Sequence, residues 1–501
     1  MTERVLVIGA GMAGLWTALA LAPTGREVLL LERDPPPPPG GVEAAFSDWT
    51  RRGVGHLRHS HAFLARLRLL IRDQHPELLA ELLAAGCREL GFDGTLTALH
   101  RRAYTPEPVD GDLVILTSRR TTLEWVMRRY VERLPGVSIR SETFVRALRI
   151  APGPTPVVTG VEIDGPEGPL ELTADLVVDA AGRTSSALEQ LVAAGAAVGE
   201  ASEGAGVIYF TRHYRLNPDA SEPPRGGKGP ATGDLGYLKF GVFPGDNGCF
   251  SVTLCVPEVE EELRKAVVDP AMFDAICAQL PGPAAWVEPE RASGVSRVFG
   301  MGQLESLWRD LAPGGRPAVL GYFAVGDSLA RTNPLYGRGC SFAAVCAYLL
   351  RDALEATPDP AQRLLRYRAG ADTELRPYYQ VMRDADRAAV RRARQMLTPA
   401  YRPTLKARLT RSFFQDGVAI AVRSDVELLR AALRGFHMLE HPQAWLKRPA
   451  NLAKVLRYWA RGRRRNAEAY PAKAGPGREE MMTAVGLSPS LDIERLRAQA
   501  A

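Results

Sequence analysis

The sequence predicts an α/β protein with three parts. The chain opens on a strand, a glycine-rich turn, a helix and a second strand. Residues 206–257 carry strand signals joined by a Pro/Gly turn, and from residue 359 the pattern becomes helical and strongly charged. The corresponding parts are a parallel-sheet domain over 1–200 and 290–358, an antiparallel-sheet domain over 201–289, and a C-terminal helical region over 359–501.

The first strand is Arg4-Val5-Leu6-Val7-Ile8, an apolar run suited to burial on both faces. Gly9-Ala10-Gly11-Met12-Ala13-Gly14 follows, then an apolar helix over 15–22, then Val28-Leu29-Leu30-Leu31 ending on Glu32. This is the order of a Rossmann-like, dinucleotide-binding βαβ unit. Gly9 permits the tight turn, Gly11 admits a pyrophosphate close to the backbone, and Gly14 lets helix and strand approach. The amides of Met12 and Ala13 stand at the helix N-terminus, where partial positive charge favours phosphate. Glu32 is placed to accept hydrogen bonds from ribose hydroxyls, with Arg33 beside it.

The proline run at 35–39 reads as a stiff surface loop. Residues 42–61 are basic and irregular. Arg58, His59 and His61 either face a ligand or belong to a solvated loop. Residues 62–85 predict an amphipathic helix, and 145–180 a sheet with Gly/Pro turns. Strands are expected at 207–214, 236–242 and 249–256, with the turn at 244–248 and a further strand over 295–300. Residues 258–280 read as helix.

The distal half decides which dinucleotide. A short apolar strand ends at Gly326-Asp327, and Pro334-Leu335-Tyr336-Gly337-Arg338-Gly339-Cys340-Ser341 leads into a long apolar helix. With Ser118-Arg119-Arg120-Thr121-Thr122-Leu123-Glu124, Phe144-Val145-Arg146 and Asp179-Ala180-Ala181-Gly182-Arg183, this resembles the FAD-dependent monooxygenases of the p-hydroxybenzoate hydroxylase fold, over residues 1 to about 355. The epoxidase, halogenase and prenyl-reductase branch is the nearest in pattern. The resemblance implies non-covalent FAD. Arg120 would contact its phosphate, Val145 would pair with adenine through the backbone, and Asp327 would bind the ribityl–pyrophosphate region. Arg58 is a further cofactor candidate. Pro334, Gly337, Gly339, Cys340 and Ser341 would lie at the flavin, where backbone amides and the helix dipole stabilise the charge of reduction.

The antiparallel sheet roofs the substrate pocket in such proteins, so Tyr209, Arg212 and Tyr214 are substrate candidates. The implied chemistry is a flavin C4a-hydroperoxide that delivers oxygen to a hydrophobic secondary metabolite, by epoxidation or hydroxylation. A reductase or dehydrogenase of a polyene or prenyl chain is the alternative. The family's halogenases carry a Trp-x-Trp segment and an early lysine. This chain has no Trp-x-Trp and its first lysine is Lys228, which argues against halogenation. Ala181 stands where aromatic hydroxylases carry an Asp that serves NADPH. A separate reductase is therefore expected to supply electrons, with NAD(P)H acting indirectly. No catalytic residue is evident.

Composition bounds the rest. The 501 residues, 46% hydrophobic and 24% charged, are those of a globular chain of several subdomains. No apolar stretch reaches the roughly 18 residues of a membrane span. The chain starts on its first core strand, leaving no room for a signal peptide, so a cytoplasmic enzyme is expected. Six cysteines without metal spacing read as reduced thiols, and no metal site is expected. Residues 401–470 hold 15 Lys/Arg against 5 Asp/Glu, while the whole chain is only +6. These basic helices are either a solvated cap or a surface for an anionic membrane, a flavin reductase or an acidic carrier protein. Nucleic acid is not expected.

Overall fold

The computed structural model describes residues 2–224, 230–396 and 402–488. Lys228 lies outside them. Five parallel strands form the central sheet, in the order Tyr322–Ala324, Leu176–Asp179, Arg4–Ile8, Glu27–Leu31 and Val137–Arg140. The middle three read as apolar runs because both faces are covered. Helices Met12–Leu21 and Gly339–Ala356 pack against one another over this sheet, with Trp16 and Phe342 fully buried. The first lies near the N-terminal end of the sequence and the second in its distal half. The glycine turn and the Gly326-Asp327 turn therefore meet at the carboxyl ends of the two strands that flank Leu176–Asp179, where α/β sheets bind ligands.

Phe144–Ala151, Val157–Gly165 and Gly168–Thr173 make a small antiparallel sheet beside the parallel one. The larger antiparallel sheet runs Thr232–Asp234, Lys239–Pro244, Cys249–Pro257, Val207–Leu216, with both Ala292–Gly294 and Phe299–Met301 paired to the last of these. The sheet thus extends past the expected boundary at 289. The last helix among the described residues, Arg478–Ala484, also leaves the C-terminal region, because Met481 and Met482 are buried in the core beneath this sheet. The single strand expected over 295–300 is thus replaced by two short ones in this sheet, Ala292–Gly294 and Phe299–Met301, whereas the return of Arg478–Ala484 is a long-range contact that no local pattern announces.

Prolines split two of the expected helices. Residues 62–85 form Ala65–Gln74 and Pro76–Ala84, because Pro76 cannot continue the hydrogen-bond ladder. Residues 258–280 form Glu261–Ala266 and Pro270–Ala278. The hairpin turn at 244–248 does more than reverse the chain. Asp246, fully buried, accepts from the Arg119 backbone N–H at 2.6 Å and from the Thr122 hydroxyl at 2.8 Å. That clamp fastens the large sheet to the start of helix Arg120–Val131.

Candidate FAD and substrate site

One cavity of about 950 Å³ runs from the glycine turn to the face of the large sheet. At the nucleotide end the backbone does most of the shaping. Gly9 has φ +97°, and a Cβ on Gly14 would stand 1.9 Å from the Gly9 carbonyl oxygen, so only glycine fits there. Above Gly11 the nearest atom to an added Cβ is an Arg51 nitrogen at 3.7 Å. The space a pyrophosphate needs is open, and a guanidinium borders it.

Buried acids hold the cationic groups of this end. The Glu32 carboxylate accepts from the Ala10 N–H at 2.9 Å and the Asp34 N–H at 3.0 Å. Arg51 pairs with Glu32 at 3.1 Å, Asp34 at 3.6 Å and Glu124 at 2.9 Å. Glu124 also holds Arg120, one helical turn away, at 3.1 Å. Arg120 donates onward to His61 Nε2 at 3.4 Å, while His61 Nδ1–H donates to the His59 carbonyl at 2.9 Å. Burial and the Arg120 charge hold His61 neutral, with its pKa down to about 3. Arg119, its neighbour in the sequence, is committed to Asp246 and Glu43.

Asp327 lies on the cavity between Arg120, Arg183 and Arg331. Burial pushes its carboxyl up, and those three guanidiniums oppose the rise. Asp179 is different. It is fully buried and accepts from the Ala181 N–H, the Tyr322 hydroxyl and the Ser328 hydroxyl at 2.8–3.0 Å. It shapes the turn that presents Ala181, Gly182 and Arg183 to the cavity. Helix Gly339–Ala356 aims its N-terminus at the same space, through Gly339 and Cys340.

At the sheet end the lining is set by strand alternation. Tyr209 and Thr211 on one strand, Thr253 and Cys255 on the next and Lys239 and Gly241 on the third face the cavity in register. A chain of neutral hydrogen bonds follows this face. His59 Nδ1 meets the Thr211 hydroxyl at 2.9 Å, Thr211 meets Thr253 at 2.7 Å, Thr253 donates to Ser60 at 2.7 Å, and Ser60 meets Ser251 at 2.7 Å. Burial lowers the His59 pKa to about 4, with the Gly300 backbone opposing the shift. Apolar groups, among them Phe240, Phe243, Met301 and Leu304, complete the wall.

The structure brings Gly9, Gly11, Met12, Ala13, Glu32, Arg33, Arg120, Val145, Tyr209, Asp327, Pro334, Gly337, Gly339 and Cys340 to this cavity. Gly14 stands behind it in helix–strand packing, and the Ser341 side chain is turned inward and buried. Arg58 departs from expectation. Its guanidinium donates to the Phe46, Ser47 and Trp49 carbonyls at 2.6–3.2 Å, closing the end of helix Gly41–Asp48. Arg212 and Tyr214 also fall outside. They have opposite parity to Tyr209 and Thr211, so they point to the far face, where both bond to Asp274. Parity alone could have excluded them, because positions 209, 212 and 214 cannot share one face of a regular strand. Conversely, parity from Tyr209 would have found Thr211. Arg51, and Phe436 and His437 from the C-terminal region, carry no local signal and enter the cavity through tertiary placement.

The FAD dependent oxidoreductase family model matches residues 4–113. No curated protein matches the sequence. Among solved structures, the flavin-dependent brominase Bmp2 superposes with a TM-score of 0.59 at 17% identity, covering 92% of this chain and all of that one. PqsL, a probable FAD-dependent monooxygenase from Pseudomonas aeruginosa, gives 0.55 at 18%, covering 78% and 96%. The p-nitrophenol 4-monooxygenase PnpA from Pseudomonas putida DLL-E4 gives 0.55 at 17%, covering 87% and 98%. At such identity the likeness is one of fold. The glycine turn, the open space over Gly11, the half-buried Asp327 and the helix N-terminus at Gly339 fit a flavin dinucleotide stretched along one cavity. Residues 4–113 thus match the FAD dependent oxidoreductase family, and the chain has the fold of the p-hydroxybenzoate hydroxylase-type flavoproteins.

Proposed function

We propose that this protein is an FAD-dependent monooxygenase that places an oxygen atom on a hydrophobic molecule of secondary metabolism, by epoxidation or hydroxylation. A separate flavin reductase supplies electrons, so NAD(P)H acts through that partner. The observation that carries the reading is the continuity of the cavity. The nucleotide end opens without a wall onto a sheet face of neutral hydroxyls, a neutral histidine and apolar side chains. Several of the fold neighbours are themselves named as monooxygenases, PqsL and PnpA among them.

Bound FAD supplies oxygen activation once reduced. The chain supplies position and polarity. Met12 and Ala13 amides and Arg120 bind phosphate; Glu32 accepts ribose hydroxyls; Asp327 accepts from the ribityl–pyrophosphate region. The Gly339 and Cys340 amides stabilise negative charge at the helix N-terminus. On the sheet side, apolar residues exclude water from the reacting groups. The His59–Thr211–Thr253–Ser60–Ser251 chain holds a polar group of the substrate, and its hydroxyls can reorient to receive or return a proton at the Thr211 oxygen. Lys239, paired with Asp234 at 3.2 Å, edges this wall.

Anaerobic stopped-flow on the flavin absorbance band tests the electron route. NADPH alone should bleach the flavin slowly, and added flavin reductase should make bleaching fast. Rapid bleaching by NADPH alone overturns the two-component reading. Oxygen uptake coupled to product separates oxygenation from the reductase alternative, which would consume substrate without oxygen.

A further inference from the structure

The C-terminal helices have a surface that the cavity chemistry leaves unexplained. Of the thirteen large apolar side chains exposed among the described residues, six fall within 405–456: Leu405, Leu409, Phe414, Phe436, Leu452 and Leu456. The same stretch is the most basic of the chain, with 15 Lys/Arg against 5 Asp/Glu over 401–470. Exposed leucines and unpaired cations are thus concentrated together.

Two helices carry them. Leu405–Ser412 buries none of its residues. Leu405, 67% exposed, and Leu409, 51% exposed, stand one turn apart, with Lys406, Arg408 and Arg411 around them. It is the exposed opening of a longer helical run, continued by the π-helical segment Phe413–Val418 and by Ala419–Ser424, where Gly417, Ile420 and Ala421 are buried. Where the two segments join, Trp459 Nε1–H donates to Ser412 Oγ at 3.1 Å. That bond ties it to the second helix, Pro449–Arg465, of which only Val455 is buried. The exposed stripe of the second helix runs Leu452, Leu456, Arg457, Ala460, Arg461 and Arg464. Arg463 and Lys454 have acidic partners, Asp416 and Asp425, whereas Lys406, Arg408, Arg457, Arg464 and Arg465 pair with no described residue.

We propose that this helical unit docks on an anionic lipid surface. The leucines would enter the acyl boundary and the lysines and arginines would meet headgroup phosphates. Protein interfaces deplete charge at their centres. Here a cation sits beside nearly every exposed leucine, and long aliphatic stems that carry charge back to the headgroups suit an interfacial helix. No described helix is long and apolar enough to cross a membrane, so the helices lie along the surface. The unit also borders the cavity. Leu428 and Ala431 of helix Val426–Phe436 pack with Val455, and that helix ends at Phe436, 44% exposed, which lines the cavity with His437. Docking would set the cavity rim beside lipid. The docking itself stands apart from the identity of the reaction.

The test is co-sedimentation of the full-length holoenzyme with phosphatidylcholine vesicles, with and without phosphatidylglycerol. Binding should require phosphatidylglycerol. Leu405→Ser/Leu409→Ser/Leu456→Ser should weaken it about tenfold or more, with flavin content and melting temperature unchanged, since all three side chains are exposed. Arg457→Glu/Arg461→Glu/Arg464→Glu should abolish the requirement for anionic lipid along with the binding. Absence of binding to anionic vesicles overturns the proposal. So does binding that ignores the leucine changes and is lost entirely in 1 M salt, where the Debye length is about 3 Å. That outcome is plain charge attraction, which an acidic protein partner would meet equally well.

Discussion

At the nucleotide end of the cavity, Arg51 and Arg120 are fixed by Glu32, Asp34 and Glu124, all buried. At the sheet end, His59, Thr211, Thr253 and Ser60 share hydrogen bonds among neutral groups. A buried charge without a partner is costly, so each arginine that meets a phosphate needs an acid to hold it before the phosphate arrives. A wall for an apolar substrate has no such arriving charge. Its hydroxyls and His59 are bonded to one another as neutral groups, and the Lys239–Asp234 ion pair stands at its edge. Positions at the first end should therefore govern cofactor retention, and positions at the second should leave it alone.

The largest expected effect is at Gly14. An alanine Cβ would sit 1.9 Å from backbone oxygen that cannot move without opening the turn. Gly14→Ala should give protein without flavin, or no soluble protein, read as flavin absorbance per polypeptide. Wild-type flavin content would break the backbone half of the comparison.

Asp327→Ala comes next. Loss of charge-assisted hydrogen bonds, about 1.5–3 kcal/mol each, should weaken FAD binding roughly tenfold to a hundredfold while the fold survives. Thr211→Val, at the other end, should leave FAD affinity unchanged. Equal losses from both would erase the distinction, and an unchanged dissociation constant for Asp327→Ala would make it a turn residue only.

The neutral histidines give a pH signature. Burial, the leading cause for both, holds His59 and His213 at a pKa of about 4, against about 6.5 in an unfolded chain. Between those values the unfolded chain binds more protons. Their stabilisation is therefore complete above about pH 6.5 and is lost as pH falls toward 4, by up to about 1.4 kcal/mol per pH unit for each histidine. Urea unfolding across this range should show the slope, and His59→Gln should reduce it by one histidine's share, with His213, His61, His75 and His437 keeping the rest. A slope unaffected by His59→Gln would contradict a buried neutral ring.

Tyr209→Phe should have the smallest effect. The Tyr209 hydroxyl donates to Asn333 Oδ1 at 2.6 Å, joining the sheet to the Pro334 loop, and Asn333 in turn reaches Asp386 at 3.0 Å. Asn333 Oδ1 keeps the Leu335 N–H as a donor. The loss should be about 1 kcal/mol, measured by thermal unfolding with and without FAD. A larger loss with FAD bound would mean that the loop contact serves the cofactor.

The glycine turn, the acid at the end of the second strand and the Gly-Asp turn were legible because each is a backbone requirement written in consecutive residues. Positive φ, a close helix–strand approach and an open helix N-terminus leave glycine and small residues at fixed spacings. The parallel strands were legible because burial on both faces leaves unbroken apolar runs. The split at Pro76 could also have been read, since proline ends a ladder wherever it stands. Other features were decided only by the folded chain. Arg51 and Arg58 sit in one basic loop, yet one borders the space above Gly11 and the other closes a helix end. Their sequence surroundings do not differ enough to separate them. Phe436 reaches the cavity from a helix nearly four hundred residues beyond Glu32, and Met481 returns to the core of a sheet that begins at Val207. Local geometry is encoded in neighbours along the chain, and a reader of the sequence has those in hand. Which side chains share a cavity depends on pairings between distant strands and helices, and those are selected by the packing of the whole molecule.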